Sequence, residues 1–182
     1  DDDNIVHVAG KVDPLSDIDV INTELCLADQ ETLERALQKA QKLARSGDKE
    51  AVSKQALLEK VMVHIDTGSP IRTLEMEAED RLVLKEYQLL TDKPTFYIAN
   101  VEETGMQDNQ WLSKLEQLAA SEGSQVIPVC AAIESEIAEL DDADKLDFLS
   151  ELGLQEPGLN RVIRAGYQLL GLQTYFTAGP KE

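Results

Sequence analysis

The sequence has little aromatic and basic character and no long apolar run. Phe, Trp and Tyr make up 4% of its 182 residues although 42% are hydrophobic, so a core must consist mainly of Leu, Ile, Val and Ala. Lys and Arg number 17 against 35 Asp and Glu, and the net charge is −18. Because a surface of this sign repels phosphate backbones, attraction of the whole chain to nucleic acid is disfavoured.

Signals for export and for membrane insertion are also missing. No run of about 18 apolar residues occurs, and no charged-then-apolar signal segment is present. The two cysteines, Cys26 and Cys130, are far apart and belong to no Cys-x-x-Cys pair. Two lone thiols fit a reducing cytosol better than a disulfide framework, so we expect a cytoplasmic protein without a membrane partner.

The motifs that hold nucleoside phosphates are absent as well. No Gly-x-x-x-x-Gly-Lys-Ser/Thr and no Asp-x-x-Gly occur, and the pair Gly10-Lys11 is followed by Val12 instead of a hydroxyl residue. The sequence therefore offers neither a nest of N–H groups for phosphates nor a hydroxyl ligand for magnesium. The chain begins with an acidic run, residues 1–3, and without Met, and we interpret both of its ends as cuts through a longer protein.

Helical periodicity fills the first half of the chain. Ser16 and Asp19 are expected to cap a long helix. Gly47 and Asp48 are expected to end that helix and to start a second one. The apolar residues expected to face the core are Ile18, Ile21, Leu25, Ala28, Leu33, Ala36, Leu37, Ala40 and Leu43 in the first helix and Ala51, Leu58, Val61 and Ile65 in the second. Two such helices predict an antiparallel hairpin, and a third helix is predicted over 75–90.

The second half predicts strands that alternate with helices. Residues 95–99 and 125–129 are short, apolar and rich in β-branched or aromatic side chains, which indicates buried strands, and a helix over 111–121 separates them. Pro128 in the second strand favours the edge or the end of a sheet. Strand, helix and strand at this spacing predict a parallel β–α–β unit. The remaining predictions are helices over about 142–152 and 157–170 and a final strand over 172–178.

Two loops follow the predicted strands and form the candidate site. Ligands of open parallel sheets bind beyond the carboxyl ends of the strands, where the loops 100–103 and 130–132 are expected to lie side by side. The carboxylate of Glu103 can accept hydrogen bonds from a purine edge, while Asn100 can brace the neighbouring loop. The small residues of the second loop let backbone N–H groups approach a base. The bare pattern Asn-x-x-Glu also fits a solvated strand-to-helix turn.

Several stretches of the sequence resemble the YchF family of P-loop NTPases, relatives of the Obg GTPases. P-T-F-Y-I-A-N-V-E-E at 94–103 resembles that family's fourth guanine-nucleotide motif, and P-V-C-A-A-I-E at 128–134 resembles its fifth. The other matching stretches are H-V-A-G-K-V-D-P at 7–14, I-N-T-E-L at 21–25, E-L-G-L-Q-E-P-G-L-N-R-V-I-R-A-G-Y at 151–167 and L-Q-T-Y-F-T-A-G at 172–179. The resemblance covers nearly the whole chain and is more specific than any one motif.

The resemblance implies a fold class and a division into domains. It implies an α/β chain, the C-terminal half of a P-loop NTPase parallel sheet of the G-domain type, with an inserted antiparallel helical hairpin. Residues 1–16 would be a remnant of the first half of the G domain, and 17–84 a hairpin insertion of the coiled-coil type. Residues 85–176 would be the second half with the base-recognition loops, and 177–182 the start of a linker to a TGS domain.

The resemblance also implies nucleotide chemistry and a partner. Proteins of the family bind and hydrolyse ATP, often in preference to GTP, use magnesium and associate with ribosomes. The residues that would face or flank the base in this sequence are Asn100, Val101 through its backbone, Glu103, Cys130, Ala131 and Ala132. The Mg²⁺ ligands would lie outside this chain, and no catalytic residue is assigned within it.

A basic stretch interrupts the acidity between Ala36 and Leu58. Five basic residues stand against two acidic ones, a local charge of +3, around the expected hairpin turn. The five are Lys39, Lys42, Arg45, Lys49 and Lys54, and the first four are the expected contacts with the ribosome or ribosomal RNA. Ordinary helix solubility explains the same charges equally well. The only histidines, His7 and His64, are expected to be structural or exposed.

Two classes of function remain open. In the first, the intact protein hydrolyses nucleoside triphosphates, and this chain is inactive alone because it lacks the phosphate-binding parts. In the second, the hairpin is a non-catalytic module that docks ribosomal RNA or protein, with nucleotide as regulator. Glu103 is longer than the Asp of guanine-specific loops and Val101 replaces their Lys, so ATP is expected to bind at least as well as GTP. Cys130 is expected to be a small lining residue rather than a reactive thiol.

Overall fold

The computed structural model describes residues 12–103 and 109–179. They form two compact units. The helical unit is Asp13–Lys93, and the described part of the α/β unit is Val12 together with residues from Pro94 onward. The hairpin insertion expected over 17–84 lies inside the helical unit. No helix in the described ranges is long and apolar enough to cross a membrane.

The helical unit contains α1 (Pro14–Ala44), α2 (Lys49–Ile65) and α3 (Ala78–Leu84). Helix α1 begins at Pro14 because the fixed φ of proline suits the first turn of a helix. A carboxylate oxygen of Asp13 accepts a hydrogen bond from the Ser16 N–H at 3.2 Å and caps the helix. The prediction of Ser16 and Asp19 as the capping pair is therefore wrong.

A short turn reverses the chain between α1 and α2, as Gly47 and Asp48 predict. Gly47 has a φ of +85°, a left-handed conformation that favours glycine. The Asp48 carboxylate accepts hydrogen bonds from two N–H groups of the first turn of α2, at 2.9 and 3.2 Å. Gln30 Nε2 donates to Asp66 Oδ1 at 2.9 Å, so the end of α2 lies beside the middle of α1. The hairpin is antiparallel.

The core of the helical unit lies between the two long helices and the segment that follows them. The face predicted for α2 is confirmed, because each of its four residues is buried: Ala51, Leu58, Val61 and Ile65. The face predicted for α1 is right at Leu33 and Ala40, which are buried. It is wrong at Ala28, which is exposed, and at Ile21 and Leu43, which are 58% and 48% exposed. Near its middle, α1 makes polar contacts with the segment 70–92, and Asp29 is buried there.

The third predicted helix is shorter than expected, and the left-handed Gln88, with a φ of +52°, lies before the residues that Asp29 binds. A single helix is predicted over 75–90, but α3 gives way to a 3-10 turn over Lys85–Tyr87. The Asp29 carboxylate accepts hydrogen bonds from the N–H groups of Leu90 and Thr91 and from the Thr91 hydroxyl, each at 2.7 Å. These two backbone donors therefore serve a tertiary contact instead of a helix, and sequence periodicity carries no information on that choice.

The α/β unit contains the predicted β–α–β arrangement. Strand β1 (Tyr97–Asn100) is joined through α4 (Gln110–Ser121) to β2 (Val126–Val129), and the two strands are parallel. The helices that follow are α5 (Ala131–Glu139), α6 (Asp142–Glu151) and α7 (Gly158–Leu169). The buried residues that join α5 and α6 are Cys130, Ile133, Ile137 and Leu149.

The final strand predicted over 172–178 does not form. Residues 172–179 have no regular secondary structure, and Tyr175 and Phe176 are 81% and 95% exposed. A strand is stable only when a neighbouring strand supplies its hydrogen bonds. Within the described residues β1 and β2 pair only with each other, so no strand supplies hydrogen bonds to 172–178.

Candidate functional site

The register of the sheet places the two predicted loops at one edge. Asn100 ends β1 opposite Val129, the last residue of β2, so Val101 and Cys130 are the first residues beyond the strands. The Val101 N–H donates to the Val129 carbonyl at 2.9 Å, which extends the pairing beyond β1. The expectation that the loops lie side by side at the carboxyl edge of the sheet is confirmed.

The side chain of Asn100 joins the two loops. Its Oδ1 accepts a hydrogen bond from the Ala131 backbone N–H at 3.1 Å. Ala131 is the first residue of α5, and the first N–H groups of a helix have no acceptor inside the helix. The Asn100 side chain therefore satisfies a donor that α5 itself cannot, and it fixes the start of α5 relative to the end of β1.

The predicted residues of the two loops differ in burial. Val101 and Cys130 are 8% and 5% exposed, so their side chains belong to the core. Burial of the Cys130 thiol fits a packing role. Ala131 and Ala132 are exposed at the start of α5, where their small side chains leave the helix terminus accessible.

Glu103 is exposed, as is its neighbour Glu102. Residues 104–108, which follow, lie outside the described chain. The structure therefore brings together Asn100, the Val101 backbone and the start of α5, and it places Glu103 in the same loop, three residues beyond β1.

Three further residues hold the second loop in place, and the sequence reading did not single them out. The Glu134 carboxylate accepts hydrogen bonds from N–H groups at the start of α7, Gly158 lies against it, and Arg161 donates to the Pro128 carbonyl at 2.7 Å. All three fall in the stretches 128–134 and 151–167 that carry the family resemblance. Their partners are distant in sequence, so no local pattern reveals the contacts.

The hairpin tip is a second candidate surface, defined by four basic residues around the α1–α2 turn. They are all exposed, and none forms an ion pair with another described residue: Lys39, Lys42, Arg45 and Lys49. Lys54 differs, because its Nζ lies 3.4 Å from a Glu50 oxygen and 3.3 Å from a Glu86 oxygen. These carboxylates, Glu86 first, raise the pKa of Lys54. Of the five basic residues of this stretch, these four have no ion pair within the described residues and are free to contact a partner.

A cavity of about 210 Å³ lies between β2 and α7. Its lining includes the polar side chains of Glu156, Arg161, Arg164 and Gln168, and none of the predicted site residues. The Glu156 carboxylate accepts two hydrogen bonds from Arg164, at 2.6 and 2.8 Å. Because the charges that line the cavity are engaged with protein atoms, we assign it no ligand.

His64 has the structural role that was expected of it. Its Nε2 lies 3.1 Å from the Pro70 carbonyl oxygen and 3.0 Å from Thr73 Oγ1, contacts that fasten the end of α2 to the following turn. His7 and the pair Gly10-Lys11 lie outside the described residues.

The α/β unit is a parallel β–α–β arrangement that presents an Asn-bearing loop beside a helix N-terminus, and the chain also contains a helical hairpin. This arrangement fits the class of P-loop NTPase folds of the G-domain type. No family model matches the sequence. Individual proteins do match it. The chain is 57% identical over 182 residues to the ribosome-binding ATPase YchF of Haemophilus influenzae and 49% identical over 184 residues to that of Bacillus subtilis. Each of these alignments covers 100% of this chain and 50% of the relative.

A solved structure, that of the Schizosaccharomyces pombe YchF GTPase, is similar with a TM-score of 0.83 and 31% identity. That match covers 98% of this chain and 50% of the other. The chain belongs to the YchF family. It spans about half the length of the curated relatives it matches.

Proposed function

We propose that the chain supplies the base-binding half of a nucleotide site in a YchF-like NTPase. In the intact protein, residues outside this chain hold the phosphates and Mg²⁺, and ATP, or also GTP, is hydrolysed. The hydrogen bond between Asn100 and Ala131 carries the proposal, because it builds one surface from two loops at the edge where parallel sheets bind ligands. The names of the relatives, a ribosome-binding ATPase and a GTPase, support the same class of activity.

Each residue of the site has a distinct proposed role. Asn100 braces the start of α5 and touches the base, the backbone of Val101 meets the base edge, and Glu103 accepts from N–H donors of a purine. Cys130 holds the loop by packing. The small side chains of Ala131 and Ala132 allow the base to approach the start of α5. Since the carboxyl edge of the sheet and this helix terminus are adjacent, the residues present fit a purine base.

The test of the base site compares ATP with inorganic tripolyphosphate, which has no base. In the full-length protein, Asn100→Ala is expected to weaken ATP binding about 10-fold and to leave tripolyphosphate binding unchanged. Asn160→Ala, at an exposed position on α7, is the matched control and should change neither affinity. Equal ATP affinity in wild type and Asn100→Ala would refute the base site.

Base choice depends on Glu103 in this proposal. The wild-type protein is expected to bind ATP at least as well as GTP, and Glu103→Asp should move the ratio toward GTP by roughly 1 kcal/mol if one hydrogen bond is regained. Glu102→Asp makes the same change at the exposed neighbouring position and serves as control. Val101→Lys is unsuitable as a companion change, because the Val101 side chain is 8% exposed and a buried Lys would perturb the loop.

The 182-residue chain alone is expected not to hydrolyse ATP. Phosphoryl transfer depends on a phosphate-binding loop, its Lys and Mg²⁺, and the sequence contains no Gly-x-x-x-x-Gly-Lys-Ser/Thr. A phosphate-release assay with a heat-denatured control measures this directly. Turnover clearly above that control would contradict the expectation.

The hairpin tip is proposed to contact the ribosome. Four exposed cations without internal partners stand out on a chain of net charge −18 and suit a phosphate backbone. The proposed contacts are Lys39, Lys42, Arg45 and Lys49. Because the proposed partner is the ribosome, we propose that the protein is located in the cytoplasm.

Charge reversal tests the hairpin tip. Lys42→Glu, Arg45→Glu and Lys49→Glu, combined in the full-length protein, should reduce co-sedimentation with ribosomes, and the salt dependence should weaken by about one unit per lost contact. The control reverses the same number of charges at exposed positions of the same unit, Lys60, Lys85 and Lys93. Equal binding by both triple variants across a salt series would exclude the tip.

A second candidate function is a non-catalytic docking module, regulated by nucleotide, in which the hairpin is the working part. The observation in its favour is that the helical unit closes its own core, with Leu33, Val61 and Ile71 fully buried. Steady-state ATP hydrolysis by the full-length protein separates the two candidates. Ribosome binding without any turnover would favour the docking module.

A further inference from the structure

Helix α7 starts against the loop that carries Cys130, Ala131 and Ala132. Pro157 precedes the helix and offers no side-chain cap. The cap comes instead from Glu134 of α5, whose two carboxylate oxygens accept hydrogen bonds from the N–H groups of Gly158 at 2.6 Å and Leu159 at 3.1 Å. A carboxylate at a helix N-terminus is favoured by both the free N–H groups and the helix dipole.

One turn further along α7, Arg161 holds the strand that leads into the same loop. Its Nη2 donates to the Pro128 carbonyl oxygen at 2.7 Å. The carbonyl groups of Gln125 and Val129 accept from β1, so the alternation of a strand directs the Pro128 carbonyl to the opposite side, away from β1. Arg161 therefore takes up an acceptor that the sheet leaves unused, in a charge-assisted bond.

Gly158 leaves room for this arrangement. A Cβ on Gly158 would lie 2.8 Å from Glu134 Oε1 and 3.2 Å from Val129 Cγ1. A side chain at this position would displace the Glu134 carboxylate from the N–H groups that it caps, so glycine lets the cap and the close approach of α7 to β2 coexist. The glycine is thus explained by packing and not by an unusual backbone conformation.

We propose that Glu134, Gly158 and Arg161 are positioning residues for the base loop. Arg161 fixes the chain two residues before Cys130, and Glu134 fixes it two residues after Ala132. Between these points α7 holds the segment from both sides, while Asn100 holds its centre through the Ala131 N–H. The inference rests on the proposed nucleotide site, whose base contacts would lose their geometry if α7 released the segment.

The experiment uses the full-length protein and measures affinities for ATP and for tripolyphosphate in parallel. Arg161→Ala is expected to lower ATP affinity about 10-fold and to leave tripolyphosphate affinity within about twofold of wild type, because only the base loop moves. Arg161→Lys should recover part of the loss, since an ammonium can still donate to the carbonyl. Glu134→Gln, which keeps the shape but removes the charge, should give a smaller loss in the same direction.

Arg164→Ala is the matched control. Arg164 lies on the same helix and donates to Glu156, not to the backbone of β2, so its loss should leave both affinities unchanged. A parallel loss of both ligands in Arg161→Ala would overturn the proposal, because it would indicate a general structural defect. If ATP binding is unchanged in both Arg161→Ala and Glu134→Gln but weakened in Asn100→Ala, the positioning role of α7 is refuted. The proposed base site itself then stands. If Asn100→Ala is also unimpaired, the base site itself fails.

Discussion

The two units of this chain differ in the depth of their apolar cores, although both expose some large apolar side chains to solvent. In the helical unit, Leu33, Val61, Ile71 and Leu84 have no exposed surface. In the α/β unit, the buried apolar side chains keep some exposed surface, with Ile137 at 4% and Leu149 at 6%, and the chain end leaves Phe176 95% exposed.

The difference follows from the type of secondary structure. A helix satisfies its backbone within itself, so two long helices and the segment that follows them can close a core. A parallel sheet needs cover on both faces and usually more than two strands. The described part of the α/β unit has two strands, and Ile98 on β1 is 54% exposed.

The strongest test of the comparison separates the units. Residues 13–93 expressed alone are expected to unfold in one cooperative transition, because their core is internal to the unit. Residues 94–179 alone are expected to give a broad transition and to bind a hydrophobic dye, because much of their apolar surface is exposed. Circular dichroism during heating measures the first and dye fluorescence the second. A broad transition for 13–93, or a sharp one for 94–179, would contradict the proposed difference between the cores of the two units.

Truncation of a core side chain to alanine should reduce the free energy of unfolding more than truncation of an exposed side chain does. Leu58→Ala, at a position 1% exposed on α2, is expected to lower the free energy of unfolding of the helical unit by about 2–5 kcal/mol. Val63→Ala on the same helix is 69% exposed and should change it by less than about 0.5 kcal/mol. Leu149→Ala in the α/β unit should cost less than Leu58→Ala. Urea denaturation provides the values, and equal costs for Leu58 and Val63 would contradict the burial pattern.

The helical unit also buries a carboxylate, that of Asp29, which accepts hydrogen bonds from the segment after α3. Asp29→Ala removes the acceptor for three hydrogen bonds and leaves the N–H and hydroxyl groups of the fully buried Thr91 without it, so we expect a loss of about 2–3 kcal/mol. Glu34→Ala, an exposed acidic position on the same helix, controls for the charge change. Faster hydrogen exchange at Leu90 and Thr91 should accompany the loss. A variant as stable as the control would mean that water replaces the carboxylate without cost.

The smallest effect expected is a dependence on alkaline pH. Burial, and then the negative charge of Asp29, raises the pKa of the Cys26 thiol above its usual value of 9.0. Above pH 9.0 the unfolded chain loses this proton before the folded chain does, so this group's contribution to stability falls as pH rises. The slope is at most about 1.4 kcal/mol per pH unit. Cys26→Ala should show a shallower decline than wild type between pH 9 and 10; parallel curves would contradict the assignment.

Much of this protein could be predicted from the sequence because the relevant signals are local. Periodicity gave the faces of α2, Gly47 and Asp48 marked the hairpin turn, and short apolar runs marked β1 and β2. The position of the candidate loops followed from the rule that parallel strands end at the same edge. The motif stretches indicated the family, which the similarity to YchF proteins then established.

Contacts between distant residues decided the rest, and they leave no local pattern. Asp29 takes the backbone donors of Leu90 and Thr91, 61 and 62 residues away, and the helix predicted over 75–90 ends early. The run at 172–178 has the composition of a strand, but a strand exists only where another strand accepts its hydrogen bonds. Glu134 caps a helix that begins 24 residues later. The sequence by itself determines where the backbone is able to form a helix or a strand. The tertiary structure decides which backbone groups form hydrogen bonds with distant residues instead, because a buried donor needs an acceptor and takes the one that the fold provides.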